Sequence, residues 1–122
     1  MGDLKIKRIY EPADPEDGYR LLADRLWPRG LSRKQAQIDC WAREIAPSTG
    51  LRRAFHQNSL SPEAFQQRYL AELGQNQEAS AFLSEIRKKL KDTNVTLLYA
   101  VKEIERSHAP ILKRWIGAEG DG

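Results

Sequence analysis

The sequence predicts a single α/β domain, a mostly parallel central sheet of about four strands flanked by helices. Three observations predict it. Residues 95–101, VTLLYAV, are a nearly continuous apolar and β-branched run, the composition of a central strand covered on both faces. Two longer segments ahead of it carry apolar residues at helical spacing, so strand-like and helix-like stretches alternate. Finally, residues 19–30, YRLLADRLWPRG, hold a short apolar run that stops at Asp24 and Arg25 and turns through Trp27, Pro28, Arg29 and Gly30. A buried strand there delivers charged groups into a loop, the usual way an α/β protein builds a site.

Taken in order, residues 4–10, LKIKRIY, alternate apolar and basic. That is a strand with one solvated face, and its lysines disfavour pairing with another molecule, so it belongs at a sheet edge. Residues 11–18, EPADPEDG, are loop chemistry and too short for a crossover helix. The first two strands, if neighbours, are therefore expected to run antiparallel. The four acids of this loop read as solvated surface charge rather than a metal site.

Strand two spans about 19–24. Trp27 precedes a proline, which pushes it towards an extended conformation, and Gly30 can take a positive φ. Ser32 caps a single helical turn before a third strand around 38–42, in which Ile38, Cys40 and Ala42 share a face; a helix is the alternative there. Ser48 caps a short helix carrying Leu51 and Phe55. Ser61, Pro62 and Glu63 start another, in which Phe65, Tyr69 and Leu73 recur every four residues until Gly74 stops it. A helix at about 78–91 buries Phe82, Leu83, Ile86 and Leu90, and Asn94 breaks it. After the apolar strand, Ser107 caps a last helix with Ile111, Leu112, Trp115 and Ile116 on one side and Gly117 as its stop. Residues 1–117 then form the domain and 118–122 a disordered tail.

At 122 residues the chain can bury roughly two-thirds of its unfolded surface, so it needs no disulfide or metal to fold. Its one cysteine, Cys40, cannot form an internal disulfide, and no Cys/His cluster suggests zinc. No apolar run approaches a membrane span of roughly 18 residues, and the N-terminus lacks a signal peptide's apolar core. A soluble cytoplasmic protein is expected, with no membrane partner. The net charge of +3 comes from 20 basic and 17 acidic residues scattered along the chain. The tightest basic run, residues 87–91, ends a helix, where the helix dipole accounts for it.

Ligands of such sheets bind beyond the carboxyl ends of the strands. With strand two and the last strand parallel, Asp24, Arg25 and Arg29 emerge beside Lys102 and the helix start at Ser107 and His108. Three cations beside a helix N-terminus describe an anion site. Asp24 would orient the arginines, and Trp27 would offer a stacking surface. The alternative is a structural lock in which Asp24 pairs with Arg25, Arg29 or Lys102. Asp24 and His108 are the acid-base pair that any catalysis would use. His56 is expected on the terminal carbonyls of its helix, and Cys40 as a small buried hydrophobe. No GxGxxG, P-loop, zinc-protease helix or nucleophile elbow is present, and nothing in the sequence names a cofactor.

The segments KRIYEPADPEDGYRLLADRLWPRGLS at 7–32, WAREIAPSTGLR at 41–52, FQQRYLAEL at 65–73 and VTLLYAVKEIERSHAPILK at 95–113 resemble the domain of unknown function 488 family, in its YeaO-like branch. The resemblance covers most of the chain and implies a compact α/β fold with no established activity. Members of the branch typically carry Glu-Glu-His-Asn or Glu-Glu-His-Asn-His after the last strand, where the matching positions here read Glu105, Arg106, Ser107, His108, with the second histidine retained. Arg106 stands at the first histidine, and Ser107 at a cysteine of the wider family, which implies that if this segment carries acid-base or nucleophilic chemistry in the family, this chain has lost part of it.

The expected function is binding of an anionic small molecule or nucleotide through Arg25, Arg29 and Lys102. The alternatives are a nucleic-acid-associated protein using the same arginines with residues 87–91 and Trp27, or a degraded enzyme acting on nucleic acid or a nucleotide.

Overall fold

Five consecutive buried residues, Val95–Tyr99, make the strand on which the sheet is built. The computed structural model describes residues 2–103 and 107–120, the side chains of 118–120 excepted. Its strands are β1 (Leu4–Arg8), β2 (Tyr19–Leu22), β3 (Cys40–Trp41) and β4 (Val95–Tyr99), and its helices α1 (Arg33–Ala36), α2 (Thr49–His56), α3 (Pro62–Gln75), α4 (Gln77–Asp92) and α5 (Ala109–Gly120). The sheet order is β1-β4-β2-β3 and every pairing is parallel. As expected, β4 is central and β1 lies at an edge; the other edge, β3, is only two residues long, which leaves little strand for unwanted pairing.

β1 and β2 are not neighbours, and they are not antiparallel: β4 lies between them. The return needs no crossover helix. Ten residues of extended chain reach about 33 Å, whereas β1 is about 16 Å long and the sideways step over one strand is about 10 Å. The connection makes one 3-10 turn, Pro15–Asp17, capped by the Asp14 carboxylate on the Glu16 N–H. Gly18 ends it at φ +66°, where an added Cβ would lie 2.1 Å from the Asn94 carbonyl oxygen, so only glycine fits.

One loop acid is far from solvated. Asp17 is buried and accepts hydrogen bonds from Lys7 Nζ, at 3.1 Å to each oxygen, from the Asp14 N–H and from Arg20 Nη1. Arg20, also buried, donates from Nη2 to the Ala36 carbonyl and from Nε to the Gln37 carbonyl, which ties α1 to β2. Burial alone would raise the Asp17 pKa, but these three sets of donors outweigh it and hold the carboxyl below its usual range.

The main core lies on one face of the sheet, where Leu21 and Leu97 meet Leu51 of α2, Phe65, Tyr69 and Leu73 of α3, Ile86 of α4 and Leu112 of α5. A smaller core on the other face joins Ile9, Leu22 and Leu98 to Ala36 of α1. Ile38 packs into this second core and Cys40 into the first, so the expected common face for Ile38, Cys40 and Ala42 is broken by the shortness of β3.

The serine caps stand where the sequence predicts them: Ser32, Ser48 and Ser61 each accept an N–H of the following turn. Gly74 does not stop α3. The helix runs to Gln75, and Asn76, whose side chain accepts the Glu78 N–H, makes the break and begins α4. Likewise α5 continues past Gly117 to Gly120; residues 121–122 of the expected tail lie outside the described residues.

Candidate functional site

The carboxyl ends of β2 and β4 stand side by side, with Leu22 opposite Leu98. Beyond them the ladder runs out, and the Asp24 side chain takes over: its Oδ2 accepts the Ala100 N–H at 3.0 Å, bridging the two strand ends. The Asp24 carbonyl is held as well, by Trp41 Nε1 at 2.8 Å. A cavity of about 400 Å³ opens at this point.

Five of the residues singled out by sequence line it: Asp24, Trp27, Arg29, Ser107 and His108. Trp27 is already engaged. Its Nε1 donates to the Leu31 carbonyl at 2.6 Å, its ring meets Trp41 edge-on at 5.3 Å, and the Arg33 guanidinium lies 4.8 Å above it. The Ser107 hydroxyl accepts the Ala109 N–H at 3.0 Å, starting α5. Glu105 and Arg106, singled out by the resemblance, lie outside the described residues.

Arg25 and Lys102 do not line the cavity. Arg25 donates from Nε to the Pro47 carbonyl at 3.1 Å and from Nη2 to the Ala46 carbonyl at 3.2 Å, fastening the loop after β2 to the segment before α2. Lys102 is exposed in the bend after β4. The cation that joins Arg29 is Arg52 of α2, and His56, expected on its own helix's carbonyls, also lines the cavity, with Phe55 and Phe65 as apolar wall. The sequence does hold a signal for this. Phe55 and His56 follow Arg52 by three and four residues, so the three share a helix face. Among the described residues neither Arg29 nor Arg52 forms a salt bridge. The α2 N-terminus is taken already, because Ser48 donates its N–H and hydroxyl to the Glu72 carboxylate.

His108 is fixed by two contacts. Its Nε2 lies 2.7 Å from the Ala23 carbonyl oxygen, and since a carbonyl only accepts, Nε2 carries the proton. Its ring stands edge-on to Tyr69 at 5.5 Å, and the Tyr69 hydroxyl donates to the Ile45 carbonyl at 2.7 Å. Burial lowers the His108 pKa to about 4, with the positive field of Arg52 and His56 adding to it against the Ala23 carbonyl. Burial also raises Asp24, to about 6, against the Ala100 N–H and Arg52. Near neutral pH the site therefore holds a neutral imidazole beside a carboxylate ready to take a proton.

Cys40 is half-buried and its thiol is raised, first by burial and then by the nearby acids Glu44, Asp39 and Glu85, so it is a poor nucleophile. Among the described residues no three acids, histidines or cysteines gather as a metal site. No helix there is long and apolar enough to cross a membrane. The 87–91 run lies at the opposite end of the molecule, where Arg87, Lys88 and Lys91 border a second cavity of about 640 Å³ with Leu4 and Ile116.

No solved structure matches the chain. It is 43% identical over 114 residues to the uncharacterized protein YeaO of Escherichia coli, covering 93% of this chain and 96% of that one. It is also 37% identical over 109 residues to the uncharacterized protein Rv3073c of Mycobacterium tuberculosis, covering 89% of each. The family model described as the inactive DUF488-N3 subclade matches residues 3–121, and the chain belongs to that family.

Proposed function

We propose that the protein binds an anionic small molecule, a nucleotide among the candidates, in the strand-end cavity and does not turn it over. The observation that carries this reading is the joint lining of one cavity by Arg29, Arg52 and His56 around the Asp24 carboxylate, with Trp27, Phe55 and Phe65 as apolar wall. Two guanidiniums suit a phosphate or carboxylate, and aromatic walls suit the flat part of a larger ligand. The description of the family as inactive agrees with binding rather than catalysis. A neutral imidazole pinned to a backbone carbonyl is also poorly placed to shuttle protons. Of the cations expected from sequence, Arg29 keeps its role and Arg52 takes the place of Arg25 and Lys102. A cytoplasmic location goes with the reading.

The test is a thermal-shift screen of nucleotides, phosphorylated metabolites and carboxylates on the wild type and Arg52→Ala. A ligand at about 100 times its dissociation constant adds roughly 2.7 kcal/mol, several degrees for a domain of this size. A shift that Arg52→Ala abolishes supports the reading; ligands that shift both proteins equally place binding elsewhere and overturn it.

A further inference from the structure

A carboxylate inside an anion site is a contradiction unless it binds as something else. Asp24 lines the cavity with one oxygen spoken for, since Oδ2 accepts the Ala100 N–H. Oδ1 lies 3.8 Å from His108 Nε2, beyond hydrogen-bond reach, and the proton on that nitrogen is directed at the Ala23 carbonyl at 2.7 Å. Among the described residues no other donor is bonded to Oδ1. The carboxyl is mostly buried, which disfavours its charged form, and adding a proton turns Oδ1 into a donor.

We propose that Asp24 engages the ligand as a neutral acid, its Oδ1 hydroxyl donating a hydrogen bond to an oxygen of a bound phosphate or carboxylate group. This rests on the strand-end cavity being the anion site and assigns Asp24 a binding role within it. The proton comes from solvent, so each anion bound above the titration range of Asp24 brings about one proton with it. No bond other than O–H forms or breaks.

The surroundings favour this state. Among the described residues the titratable and charged groups around Asp24 are Tyr10 after β1, Arg29 on its own loop, Arg52 and His56 on α2, Tyr69 on α3 and His108 ahead of α5. Tyr69 is committed to the Ile45 carbonyl and stays a neutral phenol. His108 is neutral near pH 7, so it neither pairs with an Asp24 carboxylate nor competes for the anion. Arg52 opposes protonation in the empty site, but an anion that draws the guanidinium's field to itself removes that opposition. With the carboxyl already raised to about 6, roughly one molecule in ten carries the proton at pH 7 before any ligand arrives.

The experiment is isothermal titration of sulfate, which stays a dianion throughout, and in a separate arm acetate, between pH 5 and 8. Each is run in two buffers of different ionisation enthalpy. The expected result at pH 7.5 is uptake of close to one proton per anion, with affinity falling about tenfold per pH unit above pH 6 to 7. Asp24→Asn keeps a donor in place of the acid, so its binding loses the tenfold-per-unit fall above pH 6 to 7, whereas Asp24→Leu loses affinity at every pH. The better of the sulfate and acetate arms separates a tetrahedral from a planar ligand group. Binding without proton uptake by the wild type overturns the proposal even if neither variant folds. If neither anion binds the wild type at any pH, the anion site itself fails, and this inference with it.

Discussion

The Asp24 carboxylate lies 3.8 Å from His108 Nε2, and the two titrate away from each other rather than as an ion pair. Burial disfavours charge on both, so the acid moves up to about 6 and the imidazole down to about 4. At no pH are both mainly charged. Their common anchor is the backbone at the end of the sheet: His108 holds the Ala23 carbonyl, and Asp24 holds the Ala100 N–H.

That arrangement sets opposed pH dependences. His108 has a lowered pKa, so the unfolded chain binds more protons between pH 6.5 and 4, and this site loses stability as pH falls through that window. Asp24 has a raised pKa, so its contribution is present below about 3.8 and is lost as pH rises to about 6. Each effect is on the order of 3 kcal/mol over its full range. Urea midpoints measured from pH 4 to 7 should show Asp24→Asn losing stability relative to wild type on acidification, and His108→Gln losing it relative to wild type as pH rises. Parallel curves for all three proteins would contradict the assignment.

The Asp17 and Arg20 pair should behave as an anchor and not as a site. Removing one partner leaves a buried charge unpaired, so Asp17→Asn or Arg20→Met should cost about 3–5 kcal/mol in chemical denaturation. Lys7→Met, at the more exposed end of the cluster, should cost clearly less. Equal losses for Lys7 and Arg20 variants would show that the cluster is not organised around the buried pair.

Tyr69→Phe removes the only hydrogen bond described for the Ile45 carbonyl while leaving the ring packing intact. A loss of about 1–3 kcal/mol is expected. It should leave anion affinity within about twofold, because Tyr69 does not line the cavity, its hydroxyl is committed to the Ile45 carbonyl and the phenol carries no charge. A neutral effect on stability would mean that the carbonyl finds another partner.

Arg25 and Arg52 should separate cleanly. Arg25→Ala frees the Ala46 and Pro47 carbonyls and should lower stability by about 1–2 kcal/mol with little effect on anion affinity. Arg52→Ala should do the reverse, lowering affinity tenfold or more with a small change in the unfolding midpoint. The opposite pattern would return Arg25 to the ligand and make Arg52 structural.

The legible parts of this fold are those governed by local chemistry. The β-branched run of β4, the serine caps and the four-residue spacing of Phe65, Tyr69 and Leu73 each carry their own explanation, and each stands where it was expected. The place of β4 between β1 and β2 was not legible, because the rule that a short connection implies an antiparallel pair assumes neighbours, and β4 comes between from the far end of the chain. The helix end at Gly74 was misplaced because glycine permits a stop, but Asn76 supplies the hydrogen bonds that make one; Gly117 likewise permits a stop that α5 does not take. At the site, Asp24, Trp27, Arg29, Ser107 and His108 were visible because they lie next to strand ends. Arg52 and His56 were not assigned to it, since their spacing with Phe55 marks a shared helix face, but what that face borders is fixed only when α2 is set against the sheet.

The most direct measurement is amide chemical-shift mapping of a nucleoside monophosphate titrated into isotope-labelled protein. Shifts concentrated at Arg29, Arg52, Ala100 and Ser107 are expected, with the Ala100 N–H moving most because Asp24 changes protonation beside it. Shifts confined to residues 87–91 and the neighbouring Leu4 and Ile116, at the far end of the sheet, would contradict a strand-end anion site.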